Sequence, residues 1–270
     1  MTVMIGISMG IFVFLSTLGI VFYLLWFGGS FERIAQQAQG YPDYLYAPKQ
    51  KVSSRKSLQD NSNLEKENLF GKDHSWEMRP LDWNMDREAL FTSSHDEESD
   101  ETIWFYLPYG PFENGMEMQN VLSTRCKNLH QTPYVILFHQ KVVGCMIMTI
   151  EQDSKRVTIQ NLWYDSSLHG SGLITRIMEA WLNIIMENGY RRIVWTCDAE
   201  NVRGRKVAHG LGFTLEGILR QVSIVKQCNV DMAVFSIIDK EWPLIQHHLQ
   251  DKVQVLDRKK QAMKEKEKQN

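Results

Sequence analysis

Two glycines separated by one residue, Gly170 and Gly172, lie directly before an amphipathic segment and form the clearest chemical motif of the sequence. Residues without side chains let backbone N–H groups approach an anion closely. A lone Gly-x-Gly pair is also typical of a simple turn. The segment Ser166–Trp181 therefore poses a choice between a flexible turn and a backbone cradle for a phosphate, and the surrounding elements must decide it.

The elements around the glycines favour the cradle. The run VTIQNLWY (157–164) predicts a strand before them, because β-branched and aromatic residues dominate it. Apolar residues recur at helical spacing after them, at Ile174, Ile177, Met178, Trp181, Leu182 and Ile185. Gly189 stands where a C-terminal helix cap is expected. The glycines are thus predicted at the amino end of a helix, where free N–H groups and the helix dipole favour a phosphate.

The other predicted elements form a mixed α/β domain over about residues 76–250. Two β-rich runs around His139–Lys141 predict a hairpin, and RRIVWTC (191–197) predicts another strand. Further expected elements are a short helix near 201–211, strands near 219–226 and 231–238, and a short closing helix in EWPLIQHHL (241–249). This order of strands and helices predicts a mixed sheet with helices packed against it.

The region before the domain predicts a membrane attachment. Residues 1–31 contain no charged side chain, and their apolar run, at about 1.5 Å per residue, would cross a hydrocarbon core of about 30 Å. Residues 1–27 are therefore expected to be a transmembrane anchor. Basic residues such as Arg33 and Lys49 follow it and only the terminal amine precedes it, which predicts a single-pass protein whose C-terminal domain faces the cytoplasm.

Two polar regions flank the domain. Residues 28–75 are rich in Gly, Pro, Ser, Asn and charge, which predicts a mostly disordered tether. Residues 251–270 have a helical composition without a sustained apolar face, so a frayed helix or a solvated, charged tail is expected there.

Composition and motif spacing exclude several classes of function. With 30 Lys+Arg against 32 Asp+Glu, the chain has no overall field that would attract nucleic acid. The cysteines lack CxxC spacing, which argues against a zinc site and a disulfide framework. The glycine pair lacks the Lys-Ser/Thr of a Walker A loop and the third glycine of a dinucleotide fingerprint. The oligomeric state stays open.

Six segments, in order, resemble the GNAT N-acyltransferases, and in particular the branch that contains the ribosomal-protein N-terminal acetyltransferases. They are WEMRPLDW (76–83), WFYLPYGPF (104–112), LWYDSSLHGSGL (162–173), GYRRIVWTCDAEN (189–201), GLGFTLEGILRQ (210–221) and FSIIDKEWP (235–243). The resemblance covers about residues 76–250. It implies a GNAT-like α/β fold with a mostly antiparallel sheet flanked by helices.

The resemblance also implies acetyl-CoA as the co-substrate and a set of residues that hold it. In this family, amides of the loop after the fourth strand hold the pyrophosphate, and the pantetheine arm pairs with a strand edge whose N–H stabilises the oxyanion. The matching positions here are Leu162, Trp163 and Tyr164 at the edge, His169, Gly170, Ser171, Gly172, Leu173 and Ile174 in the loop, and Asn201. For the side chains of Trp163 and Tyr164, plain packing is expected, and Asn201 would also suit a helix N-cap.

The catalytic side chains of the family are not matched, so the acid and base stay unassigned. Thr158 stands where this branch commonly has a glutamate, Ala208 where some members have a tyrosine, and Gly204 where others have a serine. Carboxylates near the matched segments are expected to be turn charges or structural partners: Glu151, Asp198, Glu216 and Asp231.

These features lead to one predicted function and two alternatives. The prediction is a membrane-anchored N-acetyltransferase that moves an acetyl group from acetyl-CoA to an amine of a protein or small molecule. The first alternative is a catalytically weak or inactive acyl-CoA-binding module. The second is a membrane adaptor that recruits a partner through its tether and tail.

Overall fold

The computed structural model describes residues 64–71, 74–95 and 101–269. In chain order the strands and helices are β1 (Leu69–Phe70), β2 (Trp76–Pro80), α1 (Trp83–His95), α2 (Gly115–Asn128), β3 (Thr132–Phe138), β4 (Lys141–Glu151), β5 (Arg156–Tyr164), α3 (Leu173–Glu187), β6 (Arg192–Asp198), α4 (Val202–Gly210), β7 (Thr214–Val225), β8 (Cys228–Ile238) and α5 (Trp242–Gln269). Short 3₁₀ turns lie at Leu64–Lys66, Glu101–Phe105 and Ser166–Leu168.

One eight-stranded sheet in the order β1-β2-β3-β4-β5-β6-β8-β7 organises these elements. All neighbouring strands are antiparallel except β5 and β6, which are parallel and are joined by α3. Side chains alternate between two apolar clusters: Tyr134 and Ile136 contribute to a cluster with α3, whereas Val135 and Leu137 contribute to a cluster with α1 and α2. The predicted mixed, mostly antiparallel sheet flanked by helices is confirmed.

The helix that follows the glycines forms as its periodicity predicts. The apolar residues predicted at helical spacing, Ile174 to Ile185, are buried in α3. Trp181 at its centre donates its Nε1–H to Met148 Sδ at 2.8 Å. Gly189 lies just beyond the last helical turn with φ of +78°, which confirms the expected glycine at the C-terminal cap.

The predicted hairpin around His139–Lys141 is present, and the two strands expected near 219–226 and 231–238 also form a hairpin. Between β3 and β4 the turn consists of His139 and Gln140, which have φ of +48° and +65°. The β7–β8 hairpin is longer than the expected strands near 219–226 and 231–238. Its pairing shifts register at two places, so the apolar residues of β7 do not alternate along the sequence. The pattern therefore hid the first half of that strand.

The C-terminal part differs from the sequence prediction. The short closing helix expected in 241–249 and the tail expected in 251–270 are one continuous helix, α5, which runs to Gln269. Ile245 and Leu249 are buried against the main cluster. One further contact, between Leu256 and Gly172, extends this seam past residue 250. Of the two expectations for residues 251–270, a helix is therefore present, and its first residues pack against the fold.

The predicted anchor, residues 1–27, lies outside the described residues, as does most of the predicted tether, 28–75. Among the residues that are described, no helix combines the length and apolar character needed to cross a membrane.

Candidate functional site

The parallel strands β5 and β6 separate halfway along their length. Residues 156–159 pair with residues 192–195, and the ladder then ends. The register between β4 and β5 shifts at the same level, and Asn161 there has φ of +52°, which marks a bulge. The bulge turns the end of β5 away from β6. Within the described part of the chain, Trp163 and Tyr164 therefore pair with β4 alone, and the other edge of Leu162–Tyr164 faces the gap.

The segment that leaves β5 is a tight loop, residues 169–174, which we call the glycine loop. Gly170 and Gly172 have φ of +77° and +82°, a left-handed conformation that favours glycine. Ser171 donates its Oγ–H to the Leu168 carbonyl at 2.6 Å and fixes the loop to the preceding turn. Gly172 is the N-cap residue of α3. The loop conformation therefore depends on its two glycines and on its own contacts.

Several backbone donors of the glycine loop remain available. The N–H groups that make no hydrogen bond to any described residue belong to Gly170, Gly172, Ile174 and Thr175. The Leu173 N–H, by contrast, donates to Ser171 Oγ at 3.2 Å. Free donors at the first turn of a 15-residue helix, together with its dipole, form a site for an anion. The side chains of Leu173 and Ile174 are buried, so chiefly their backbone faces such a ligand.

A cleft of about 660 Å³ begins at the glycine loop. Its walls come from three elements that are distant in sequence: the loop with the first turn of α3, the outer face of α4, and the inner face of α5. The residues that line it are Tyr164, His169, Gly170, Gly172, Leu173, Ile174, Thr175, Arg203, Lys206, Val207, Gly210, Leu211, His248, Asp251, Lys252, Val255 and Leu256. A cleft of this size suits a small organic ligand.

The strand-edge residues divide between the two faces of the sheet. Trp163 is buried in the cluster with α1 and α2, where its ring lies 6.2 Å from that of Trp104, so its expected packing role is confirmed. Leu162 and Tyr164 pack on the opposite face. The Tyr164 ring packs edge-on against the His169 ring, with 4.7 Å between the ring centroids, and both residues line the cleft. Burial raises the pKa of Tyr164, and the charge of Arg203 opposes that shift.

Asn201 caps a helix, as its residue type predicts. Its Oδ1 accepts the N–H of Gly204 at 2.7 Å at the start of α4. Gly204 packs closely against this cap, since an added Cβ would lie 3.1 Å from Asn201 Cγ. Asn201 is not among the residues that line the cleft, so its predicted contact with a cofactor stays a prediction.

The carboxylates near the site have structural partners. Glu216 accepts both guanidinium hydrogen bonds of Arg192 at 2.6 Å, and this pairing lowers the pKa of Glu216. Arg156 likewise lowers the pKa of Glu151. A carboxylate held ionised by an arginine is a weak proton acceptor. Two strand carboxylates accept backbone N–H groups: Asp198 at the end of β6 accepts that of Glu200, and Asp231 in β8 accepts that of Gln221.

The positions at which this family carries other catalytic groups hold no acid or base. Ala208 is completely buried in α4, and Thr158 lies within the paired part of β5. The structure therefore brings together a loop, a strand edge and a cleft, but no side chain in these positions that could exchange a proton.

The residues that α4 and α5 contribute to the cleft were not predicted from the sequence. Arg203 and Lys206 are three residues apart on α4, so their side chains lie on the same face of the helix. This spacing is visible in the sequence and was the available signal for that wall. The contribution of α5 had a weaker signal: Ile245, Leu249 and Leu256 are spaced for one helix face, but charged residues interrupt them.

Comparison with known proteins gives consistent matches. The profile of the acetyltransferase (GNAT) family matches residues 77–213. A ribosomal-protein-serine acetyltransferase from Escherichia coli is 27% identical over 119 residues, which is 42% of this chain and 66% of that protein. The match thus spans slightly less than two thirds of that relative.

Solved structures share the fold. A GNAT-family protein from Chromobacterium violaceum has a TM-score of 0.59 and 29% identity, covering 65% of this chain and 93% of its own. A GCN5-related N-acetyltransferase from Brucella melitensis has a TM-score of 0.63 and 26% identity, covering 69% and 85%. The resemblance to this family and to its ribosomal-protein branch is confirmed.

Proposed function

The chain belongs to the acetyltransferase (GNAT) family, and on that premise we propose that it transfers an acetyl group from acetyl-CoA to an amine. The observation that carries the proposal is the glycine loop beside the separated strands. The glycine loop offers backbone N–H donors for a pyrophosphate. Next to it, the unpaired edge of β5 offers a place for an extended chain such as a pantetheine arm. Acetyl-CoA contains both chemical parts in one molecule.

The glycine loop supports the binding of a pyrophosphate. Gly170 and Gly172 place no side chain between the backbone and a ligand, and the dipole of α3 adds a partial positive charge.

The gap between β5 and β6 supports the placement of the thioester. An extended pantetheine arm would add to the free edge at Leu162–Tyr164 as another strand would. A main-chain N–H of that edge would then polarise the thioester carbonyl and stabilise the oxyanion as the amine attacks. Such a donor needs no particular side chain at 162–164.

The proposed reaction depends on position more than on acid–base side chains. The amine nitrogen attacks the carbonyl carbon, the carbon–sulfur bond breaks, and the amine proton passes through water to the departing thiolate. Holding both reactants in one geometry can replace much of the contribution that a positioned base would make. This agrees with the apolar or neutral residues at Ala208 and Thr158.

The test is a calorimetric titration of the full-length, detergent-solubilised chain with acetyl-CoA, followed by a thiol-release assay over a panel of amines. We expect the chain to bind acetyl-CoA. We also expect it to release free coenzyme A at a rate that depends on which amine is added. Absence of binding would overturn the proposal. Binding without release would select the alternative of an acyl-CoA-binding module.

The amine panel should begin with peptides. The Escherichia coli relative is named for acetylating a serine of a ribosomal protein, so a peptide N-terminus is the first acceptor to test here. Lysine side chains and small polyamines form the other arms of the panel. Release with small amines alone would exclude a protein acceptor.

We also propose that residues 1–27 anchor the enzyme in a membrane, with the acetyltransferase domain in the cytoplasm. The uncharged, apolar run of residues 1–31 and the basic residues after it support this. The full-length chain should resist carbonate extraction from membranes, and a chain that lacks residues 1–31 should be released. A domain protected from protease inside sealed microsomes would contradict the orientation.

A further inference from the structure

Helix α5 supplies the third wall of the cleft. Five of its residues line the cleft opposite the glycine loop and α4: His248, Asp251, Lys252, Val255 and Leu256. The family profile ends at Phe213, and the broader resemblance ends at about residue 250, so Asp251, Lys252, Val255 and Leu256 lie outside both. This wall therefore adds to the ligand site something that the resemblance to the family does not imply.

Several contacts hold α5 in this position. Leu249 is completely buried, and Gln246 donates to Asn183 Oδ1 on α3 at 2.7 Å. Nearer the loop, Asp257 forms an ion pair with Arg176 in the first turn of α3. Leu256 rests against Gly172, since a Cβ added there would lie 2.5 Å from Leu256 Cδ1. The inner face of the helix is therefore a fixed part of the cleft.

The cleft contains cations that do not belong to the glycine loop. Its lining contains the cations Arg203, Lys206 and Lys252 against one carboxylate, Asp251. These cations belong to α4 and α5, whereas the backbone donors belong to the glycine loop. A cationic group separate from the loop suits a ligand that carries a second anionic group.

Lys252 is the cation best placed by its surroundings. It is half-buried on the inner face of α5, and its ammonium group donates to the Gly210 carbonyl at the end of α4. A lysine ammonium has three donors, so this bond orients the group and leaves two donors for a ligand. The flexible lysine stem is thereby fixed before a ligand arrives, which lowers the entropic cost of binding.

We propose that Lys252, assisted by Lys206, binds the 3′-phosphate of coenzyme A and makes the protein select the 3′-phosphorylated nucleotide. The inference rests on the proposed function, because it requires coenzyme A to occupy the cleft. The 3′-phosphate is a phosphate monoester, which carries close to two negative charges at neutral pH. In this arrangement the backbone donors of the glycine loop hold the pyrophosphate.

The experiment compares coenzyme A with dephospho-coenzyme A, which lacks only the 3′-phosphate, by calorimetric titration of the full-length chain. We expect the wild-type chain to bind coenzyme A at least about tenfold more tightly, the effect of a charge-assisted hydrogen bond. In Lys252→Met, which keeps the apolar stem, this ratio should fall towards one while the affinity for dephospho-coenzyme A is unchanged. Lys252→Arg should retain most of the ratio.

The matched control is Lys259→Met, which removes an exposed cation from the same helix and should leave the ratio unchanged. An equal loss of affinity for both ligands in Lys252→Met would mean that Lys252 only stabilises the position of α5. This result would overturn the proposal. A wild-type ratio of one would also overturn it. If neither ligand binds any variant, the proposed function fails and this inference fails with it.

Deletion of residues 251–270 gives an independent check on the role of the wall. The shortened chain should lose affinity for coenzyme A and lose the preference over dephospho-coenzyme A. Tighter binding after the deletion would mean that α5 shields the loop from the ligand, and this result would overturn the proposal.

Discussion

Gly172 is constrained both by its backbone and by a neighbour. Its φ of +82° lies in the left-handed region, and an added Cβ would lie 2.5 Å from Leu256 Cδ1. Gly170 has nearly the same backbone conformation, but nothing lies within 4 Å of a Cβ added there. A non-glycine residue would therefore strain the backbone at both positions. Only at position 172 would its side chain also collide with a neighbour.

Alanine at each position should separate these effects. We expect Gly170→Ala to lower the free energy of unfolding by about 1 kcal/mol, the usual cost of a left-handed non-glycine residue. Gly172→Ala should cost roughly 1–3 kcal/mol more because it overpacks Leu256. Urea denaturation measures both, and Leu256→Ala in the Gly172→Ala chain should recover part of the difference. Equal losses at the two glycines would contradict the contact with α5.

The pair formed by Arg192 and Glu216 makes stability depend on pH. Arg192 lowers the pKa of the Glu216 carboxyl below its usual 4.5, and burial opposes this shift. A Glu whose pKa is lower in the folded state binds fewer protons than in the unfolded state. Its stabilisation is therefore complete above about pH 4.5 and is lost as the pH falls through the folded-state pKa.

We predict that Glu216→Gln destabilises the chain at pH 7 and has a decreasing effect below pH 4.5. The Glu216 side chain is 40% exposed, so solvent screening keeps the effect below about 1 kcal/mol. Denaturation series at several pH values measure it. In an Arg192→Gln chain the same substitution should have little effect, and a pH-independent difference would exclude the ion pair as the cause.

At the scale of elements, α5 is attached to the domain mainly through its first half. Leu249 is completely buried, whereas Leu244 on the same helix is 79% exposed. Leu249→Ala should therefore cost about 2–4 kcal/mol of unfolding free energy, and Leu244→Ala should cost little. Chemical denaturation gives both values. Similar effects of the two substitutions would contradict the described orientation of the helix.

The sequence predicts elements well where one periodicity acts alone. In α3 every apolar position at helical spacing is buried, and Gly189 ends the helix. The bulge at Asn161 was not predictable in this way, because the separation of β5 from β6 depends on the pairing of β5 with β4. Its one local signal is the tolerance of asparagine for a left-handed φ.

The site was predictable where it depends on the backbone and not where it depends on distant side chains. The glycine loop follows from Gly170 and Gly172 and from the strand and helix on either side of them. The cations of the cleft wall come from residues as far apart as Arg203 and Lys252, and only tertiary packing brings them to one cleft. Charges that interrupt α5 also hid the apolar seam ending at Leu256.

For the whole molecule, occupation of the cleft should stabilise the fold. A ligand at 100 times its dissociation constant adds about 2.7 kcal/mol to the free energy of unfolding. For a domain of this size such an increment corresponds to a rise in Tm of roughly 5–10 °C. Thermal scans with increasing acetyl-CoA should show this rise. A Tm independent of acetyl-CoA concentration would contradict binding to the folded state.

The contact of α5 with the glycine loop also orders events during synthesis. Gly172 and Arg176 emerge from the ribosome well before Leu256 and Asp257, which complete the cleft. Domains begin to fold as their N-terminal parts emerge, at about 5–20 residues per second. The sheet can thus form on a nascent chain that still lacks the third wall. We expect a ribosome-bound chain whose residues up to about 250 have left the exit tunnel to form the sheet without selecting the 3′-phosphorylated ligand, because that selection requires the later emergence of Lys252.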